Sequence, residues 1–275
     1  MAQFVFAYDV ESVDIAPTAV NVIADIHRRH NVPATMFIVG KVLETHGRAL
    51  KATLDDPLFD LQTHTYSHRM LKDSGPHGPA LNLDEMRVEV GRGKELIEDV
   101  FGRSCLGCRP GCGFYKGFQG LPERLAIFEE FGIEFVSGWL RDEWDSIPAA
   151  IEEPLWYSDD GFDKILEIPG HGWHDNVLKG FGANITRYPS RYEWAVPPQT
   201  LTNVDELVEH ELLWVDQAIK EDKPFFSPVW HPWSLYRFDQ GMGMVKSMIL
   251  AAAERGMPTA TYSDIHKEWM SSHPA

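Results

Sequence analysis

Leu61-Gln62-Thr63-His64-Thr65-Tyr66-Ser67-His68 places two histidines four residues apart, directly after an apolar run that includes Leu58, Phe59 and Leu61. The run predicts a short strand over 58–63 that leads into the histidines. Imidazoles at i and i+4 share one face of a helical turn, so both can reach one small object. A divalent metal is the natural object, because neutral imidazole is a common ligand for it. Twelve histidines in 275 residues make such a pair unremarkable by itself, so the rest of the chain decides what it means.

Strands and helices alternate on both sides of this stretch. Residues 4–8 read as a strand ending at Asp9-Val10-Glu11-Ser12, and 17–30 as a helix opened by Pro17 with apolar Val20, Ile23, Ala24 and Ile26. A second strand covers 34–40 and a helix 41–53. The run Ser74-Gly75-Pro76-His77-Gly78-Pro79 makes 71–82 a loop. Asn82 then caps a helix over 84–100, with Asp84 and Glu85 in its dipole-favoured first turn. Cys105 to Arg109 is strand-like, 121–131 helical, and Glu134 to Trp139 a strand. Residues 141–200 are less regular, with one clear strand at Ile165–Ile168. A helix over 203–220, a strand over 225–230, a helix over 241–255, and a strand and helix from Pro258 complete the chain. This alternation predicts a parallel α/β architecture, either a barrel or an open sheet. No internal repeat or linker divides it, so residues 1–275 are expected to form a single domain.

Composition narrows the function. A net charge of −16 argues against nucleic acid and anionic lipid as partners, since both need basic patches. No apolar run approaches the roughly 18 residues of a membrane helix, so no membrane insertion is expected. Met1-Ala2-Gln3 runs straight into the first strand without a signal sequence, which predicts a cytoplasmic protein. Cys105, Cys108 and Cys112 are odd in number and clustered, so they form no disulfide framework, and no fourth ligand completes a closed metal site.

Chemistry concentrates where strands end. The first strand ends at Asp9 and Glu11, the third at His64 and His68, the next at Arg109. Asp142 and Asp145 follow the strand through Val136, and His231 follows the strand over 225–230. In parallel α/β folds this edge is where active sites are built.

In this order the residues resemble the polysaccharide deacetylases, carbohydrate esterase family four, with their allantoinase-like relatives. Tyr8-Asp9-Val10-Glu11 is similar to the family's opening aspartate motif, and His64-Thr65-Tyr66-Ser67-His68 matches its His-Ser/Thr-x-x-His motif in full. Arg109-Pro110-Gly111-Cys112-Gly113 matches its arginine–proline turn in part. Asp142-Glu143-Trp144-Asp145 and Val229-Trp230-His231-Pro232-Trp233 fit the last two motifs. The resemblance implies a distorted (β/α) barrel with an incomplete strand/helix repeat, and a divalent metal, zinc first, with cobalt or nickel as alternatives. Common members have adjacent aspartates, whereas here Val10 follows Asp9. Strand alternation puts Asp9 and Glu11 on one side and Val10 on the other, which offers Glu11 as the third metal ligand beside His64 and His68.

The family's chemistry implies the remaining roles. Asp9 would be the general base and His231 the general acid. Arg109 would position Asp9, and Asp142 or Asp145 would pair with Arg109 or His231. The backbone N–H of Cys112 would donate to the oxyanion, and Trp139, Trp144 and Trp233 would either surround the leaving group or pack in the core. Glu167-Ile168-Pro169-Gly170-His171-Gly172-Trp173-His174-Asp175 leaves a strand and should face the same edge, so His171, Trp173 and His174 are candidate substrate contacts. The expected activity is metal-dependent amide hydrolysis, most simply deacetylation of an N-acylated amino sugar or related small amide. Ring opening of a cyclic ureide or imide, as in the allantoinase-like branch, is the alternative. A non-catalytic carbohydrate-binding barrel is a third reading, which the intact histidines oppose.

Overall fold

The computed structural model describes residues 2–274 apart from 76, 182–187 and 189. In chain order the first elements are β1 (Gln3–Val5), β2 (Ala7–Val10), α1 (Ala16–His30), β3 (Ala34–Ile38), α2 (Gly40–Leu54) and β4 (Phe59–Thr63). Next come α3 (Leu83–Phe101), β5 (Gly107–Cys108), α4 (Pro122–Glu130), β6 (Phe135–Val136), β7 (Leu155–Tyr157), β8 (Phe162–Glu167), β9 (His171–His174) and α5 (Asp175–Leu178). The last are α6 (Val204–Lys220), β10 (Phe225–Phe226), β11 (Pro228–Val229), α7 (Pro232–Phe238), α8 (Gly243–Glu254), β12 (Thr259–Ala260) and α9 (Tyr262–Ser272).

β2, β3, β4, β5, β6 and β8 run parallel in one sheet, with β7 antiparallel on its far edge. The expected strand over 4–8 is divided at Phe6, and the one over 225–230 at Ser227. Both breaks occur in strands that keep one register, Gln3 opposite Phe225, Phe4 opposite Phe226 and Tyr8 opposite Trp230. The first strand therefore pairs with a late one, and β11 continues the circuit to β9. Ala149, in the loop before β7, pairs with Gly172 of β9. The architecture is the expected distorted barrel. β7, β9, α5 and α7 were not expected. Glycines at 170 and 172 interrupt the apolar pattern that would have marked β9.

The helices form where local signals and burial agree. Pro17 stands in the first turn of α1, where its missing N–H costs nothing, and Asn31 ends the helix at φ 52°. Ala19, Val20, Ile23 and Ala24 on this helix are fully buried. Truncating a residue such as Ile23 to alanine costs about 2–5 kcal/mol. α3 begins with a capping box between Asn82 and Glu85 and ends at Gly102 with φ 68°. Gly93 lets this helix touch the end of β4, because a Cβ there would lie 2.4 Å from Thr63 Oγ1 and 2.8 Å from the Thr65 carbonyl carbon. The helix is thus braced against the turn that carries the histidine pair.

Candidate active site

The histidine pair does not lie on a helix. His64 follows β4, and the chain turns through Thr65 and His68 at φ 62° and 63°. Buried Glu89 on α3 holds this turn, accepting from the Ser67 N–H at 2.7 Å and from its hydroxyl. The turn brings the rings to 4.8 Å between centroids, the closeness that helical spacing was expected to supply.

Glu11, His64 and His68 each offer one ligand atom, all within 4.8 Å of one another. The tautomer of His64 is fixed by its surroundings. Its Nδ1 lies 2.8 Å from the Arg109 carbonyl, which can only accept, so Nδ1 carries a hydrogen and Nε2 is the lone-pair nitrogen of the neutral ring. That Nε2 is buried with no hydrogen-bond partner, 3.8 Å from Glu11 Oε2 and 3.9 Å from Asp9 Oδ2. A buried acceptor left open beside two carboxylates is what a cation ligand looks like without its cation, and the residues fit a metal. Glu11 is further held by Trp233, whose Nε1 donates to Oε1 at 2.7 Å, and Oε2 lies 3.0 Å from His68 Nε2. Burial opposes charge on Glu11, but His231, His64 and His68 keep its carboxyl well below the ordinary range.

Asp9 and Glu11 both line the cavity, whereas Val10 belongs to the core. Asp9 Oδ1 accepts from Arg109 Nη1 at 2.7 Å. Arg109 is fully buried, with Ser137 Oγ at 3.1–3.2 Å, Tyr262 OH at 2.6 Å and the Phe37 ring 4.1 Å from its guanidinium carbon. Burial would raise the Asp9 carboxyl, yet Arg109 together with His64 and His231 holds it below its usual value. Asp9 is therefore an ionised acceptor at neutral pH.

His231 presents a different pairing. Its Nδ1 and backbone N–H lie 2.6 and 2.9 Å from Asp175 Oδ1, and Asp175 Oδ2 contacts buried Lys179. Against burial, Glu11, Asp175 and Asp9 raise His231 to about 9. Asp175 is pushed down to about 2: its own burial opposes this, and Lys179 and His231 overcome it. The Nδ1–Asp175 contact leaves Nε2 as the remaining ring nitrogen on the cavity side.

These pairings correct the assignment of Asp142 and Asp145. Neither reaches Arg109 or His231. Asp142 caps its own loop through the N–H groups of Trp144 and Ser146, and the Asp145 carboxylate binds Ser74. The partners are Asp9 for Arg109 and Asp175 for His231. Asp175 closed the segment that leaves β8, but without a known neighbour nothing in the sequence tied it to His231.

The other candidates divide. His174 lines the cavity, and burial pushes its pKa down to about 3. Cys112 also lines it, at φ 68°, between Gly111 and Gly113. Trp233 ends its contacts on Glu11 and packs 6.1 Å from His231. His171 and Trp173 are corrections, since both serve the core. His171 binds the Glu152 carbonyl and the Ser227 N–H against Phe225, and Trp173 gives its N–H to the Ala195 carbonyl. Successive strand residues point to opposite faces, so β9 can present only alternate side chains to the cavity. Trp144 is 53% exposed and does not line the cavity, and Trp139 is buried with its N–H on the Arg141 carbonyl. Cys105 and Cys108 are buried free thiols, and no cysteine joins a metal cluster among the described residues.

The cavity, which opens to the surface, has a volume of about 220 Å³. Arg141 and His77, which the sequence had not singled out, stand on its wall. No helix among the described residues is long and apolar enough to cross a membrane.

Comparison with known proteins follows the same lines. A family model described as polysaccharide deacetylase matches residues 7–118. No curated protein sequence matches the chain. Among solved structures, a Mycobacterium smegmatis protein assigned as a polysaccharide deacetylase is 18% identical, with TM-score 0.70 over all of this chain and 92% of that one. A Pseudomonas aeruginosa protein assigned to the same class is 16% identical, with TM-score 0.69 over all of this chain and 92% of that one. PuuE allantoinase is 15% identical, with TM-score 0.67 at the same coverage. Residues 7–118 thus carry the sequence pattern of the polysaccharide deacetylases, and the whole chain has the fold shared by that family and its allantoinase relative.

Proposed function

We propose that the protein is a metal-dependent amidohydrolase that removes an acyl group, most simply acetyl, from a small N-acylated substrate such as an amino sugar. The observation that carries the reading is the bare, buried Nε2 of His64 beside Glu11 and His68, in reach of a cavity shared by Asp9 and His231. A divalent ion held by Glu11, His64 and His68 would supply an activated water, with a pKa of about 7 for zinc, and a polarised carbonyl. Asp9 takes the proton of the attacking water, and Arg109 fixes the carboxylate that receives it. The backbone N–H of Cys112 donates to the developing oxyanion, a contact typically contributing about 3 kcal/mol. His231 delivers a proton from Nε2 to the leaving nitrogen, with Asp175 holding the ring through Nδ1. Zinc, cobalt and nickel all suit a donor set of two imidazoles and one carboxylate.

Ring opening of a cyclic ureide or imide is the second reading. It is favoured by the small cavity and by the likeness to PuuE allantoinase. Elemental analysis of the purified protein should find about one equivalent of divalent transition metal. Screening N-acetylated amino sugars against cyclic imides, with amine or acid release measured, should show metal-dependent acetate release. Activity confined to cyclic imides and surviving chelation would replace the first reading with the second.

A further inference from the structure

Among the described residues, Arg109, Lys179 and Arg141 are the cationic side chains buried almost completely, Arg141 being 2% exposed. The first two are paired with carboxylates, Asp9 and Asp175. Arg141 forms no ion pair among the described residues. Its donors go to neutral acceptors: Nε to the carbonyls of Cys112 and Gly113 at 3.0 and 3.2 Å, Nη1 to the Asp145 carbonyl at 3.0 Å, and Nη2 to His77 Nε2 at 2.7 Å. The nearby Asp145 carboxylate is committed to Ser74 instead. A guanidinium has five N–H groups, so this arrangement leaves one on each terminal nitrogen.

Burying a charge without a counter-charge is costly. The four acceptors fix the orientation of Arg141 but do not neutralise it. Both Arg141 and its partner His77 line the cavity that contains Asp9, Glu11 and His231. Among the described residues no lysine and no other arginine lines it, which suits a singly charged carboxylate better than a phosphate dianion. The remaining wall includes apolar Leu140, Ile147 and Val177, and a volume of about 220 Å³ suits a compact molecule.

We propose that the substrate is a compact amide that carries a carboxylate, and that Arg141 binds that carboxylate. This rests on the amide-hydrolysis reading for its reaction but not for its binding. It selects among N-acyl compounds: N-acylated amino acids or carboxylated ureides fit, and neutral N-acetyl sugars lack the group that Arg141 waits for.

The test is binding without turnover. Metal-loaded Asp9→Asn protein is titrated calorimetrically with matched acids and amides: N-acetylglycine against N-acetylglycinamide, N-acetyl-β-alanine against its amide, and N-carbamoylglycine against its amide. In at least one pair the acid should bind about tenfold or more tighter, as a charge-assisted bidentate contact implies. Arg141→Gln should bring that ratio close to one, and Arg141→Lys should retain part of it. Equal binding in every pair overturns the proposal, as does an acid preference that survives in Arg141→Gln. Should Arg141→Gln fail to fold, Arg141→Lys decides: an acid preference that it leaves undiminished overturns the proposal, and a reduced one upholds it. Acid-selective binding without hydrolysis of any member by the wild type would uphold the carboxylate site and overturn the reaction.

Discussion

Two buried ion pairs support the cavity, and they are built differently. Asp9–Arg109 joins β2 to the end of β5, with the carboxylate itself on the cavity and the cation behind it. Asp175–Lys179 lies within one helical turn, with the carboxylate behind His231 and the cation behind the carboxylate. The first arrangement presents an anion that can receive a proton. The second presents an imidazole whose proton is retained until needed. The order of charges, more than the kind of residue, separates a base from an acid in the same pocket.

The sharpest test of that contrast is Asp9→Asn. It should lower kcat by about 10³-fold while leaving the metal content unchanged. Loss of the metal with the activity would make Asp9 a ligand, and the division of roles would collapse. Glu11→Ala should do the reverse and strip the metal from the protein, as elemental analysis can show.

Asp175→Asn tests the other pair. A drop in kcat of about 10²-fold is expected, together with a stability loss of about 3–5 kcal/mol because Lys179 keeps its buried charge. Urea unfolding separates the two effects. Adding Lys179→Met to Asp175→Asn should recover much of the stability and none of the activity. Recovery of both would show that Asp175 serves the fold alone.

Within the second arrangement, His231 and Asp175 respond to pH in opposite directions. His231 titrates at about 9 in the folded metal-free protein against an ordinary 6.5. A raised value means that the proton stabilises the fold fully below pH 6.5, and that this contribution disappears as pH rises through about 9. Asp175 runs the other way. Its folded value of about 2 lies below 3.8, so its contribution is present above the higher value and is lost as pH falls through the lower. Chelated protein should therefore show a falling Tm from pH 6.5 to 9, and His231→Gln should flatten that slope. An unchanged slope in the variant would assign the loss to other groups.

The asymmetry between the pairs also governs what the sequence could reveal. The parallel order of strands, the helix ends at Pro17 and Asn82, and the residues Asp9, Glu11, His64, His68, Arg109 and His231 were legible because each follows a strand with clear apolar patterning. Asp175 was not, since β9 is interrupted by glycine and its strand character depends on pairing with β11, far away in sequence. Arg141 was hidden for a related reason: its importance lies in the carboxylate that it lacks, and a missing partner leaves no trace in a local pattern. His171 and Trp173 misled because composition shows which residues share a segment but not which face each takes. The histidine pair was read with the right neighbours and the wrong backbone. Only tertiary support from Glu89 and Gly93 makes the tight turn that replaces the helix.

The smallest expected effect lies at Trp233, which connects the acid side of the cavity to the metal side. Its indole N–H donates to Glu11 Oε1 at 2.7 Å while its ring packs beside His231. Trp233→Phe keeps most of the packing and removes the hydrogen bond. Outer contacts of this kind typically contribute about 10- to 100-fold to metal affinity; this one is only half-buried, so a loss of about 10-fold is the expectation. Competition with a metallochromic chelator measures it directly, and the acidity of His231 should move little. A fall in kcat at saturating metal with no change in affinity would place the indole on the proton-donating side instead, and would show that the two halves of the cavity share more than a wall.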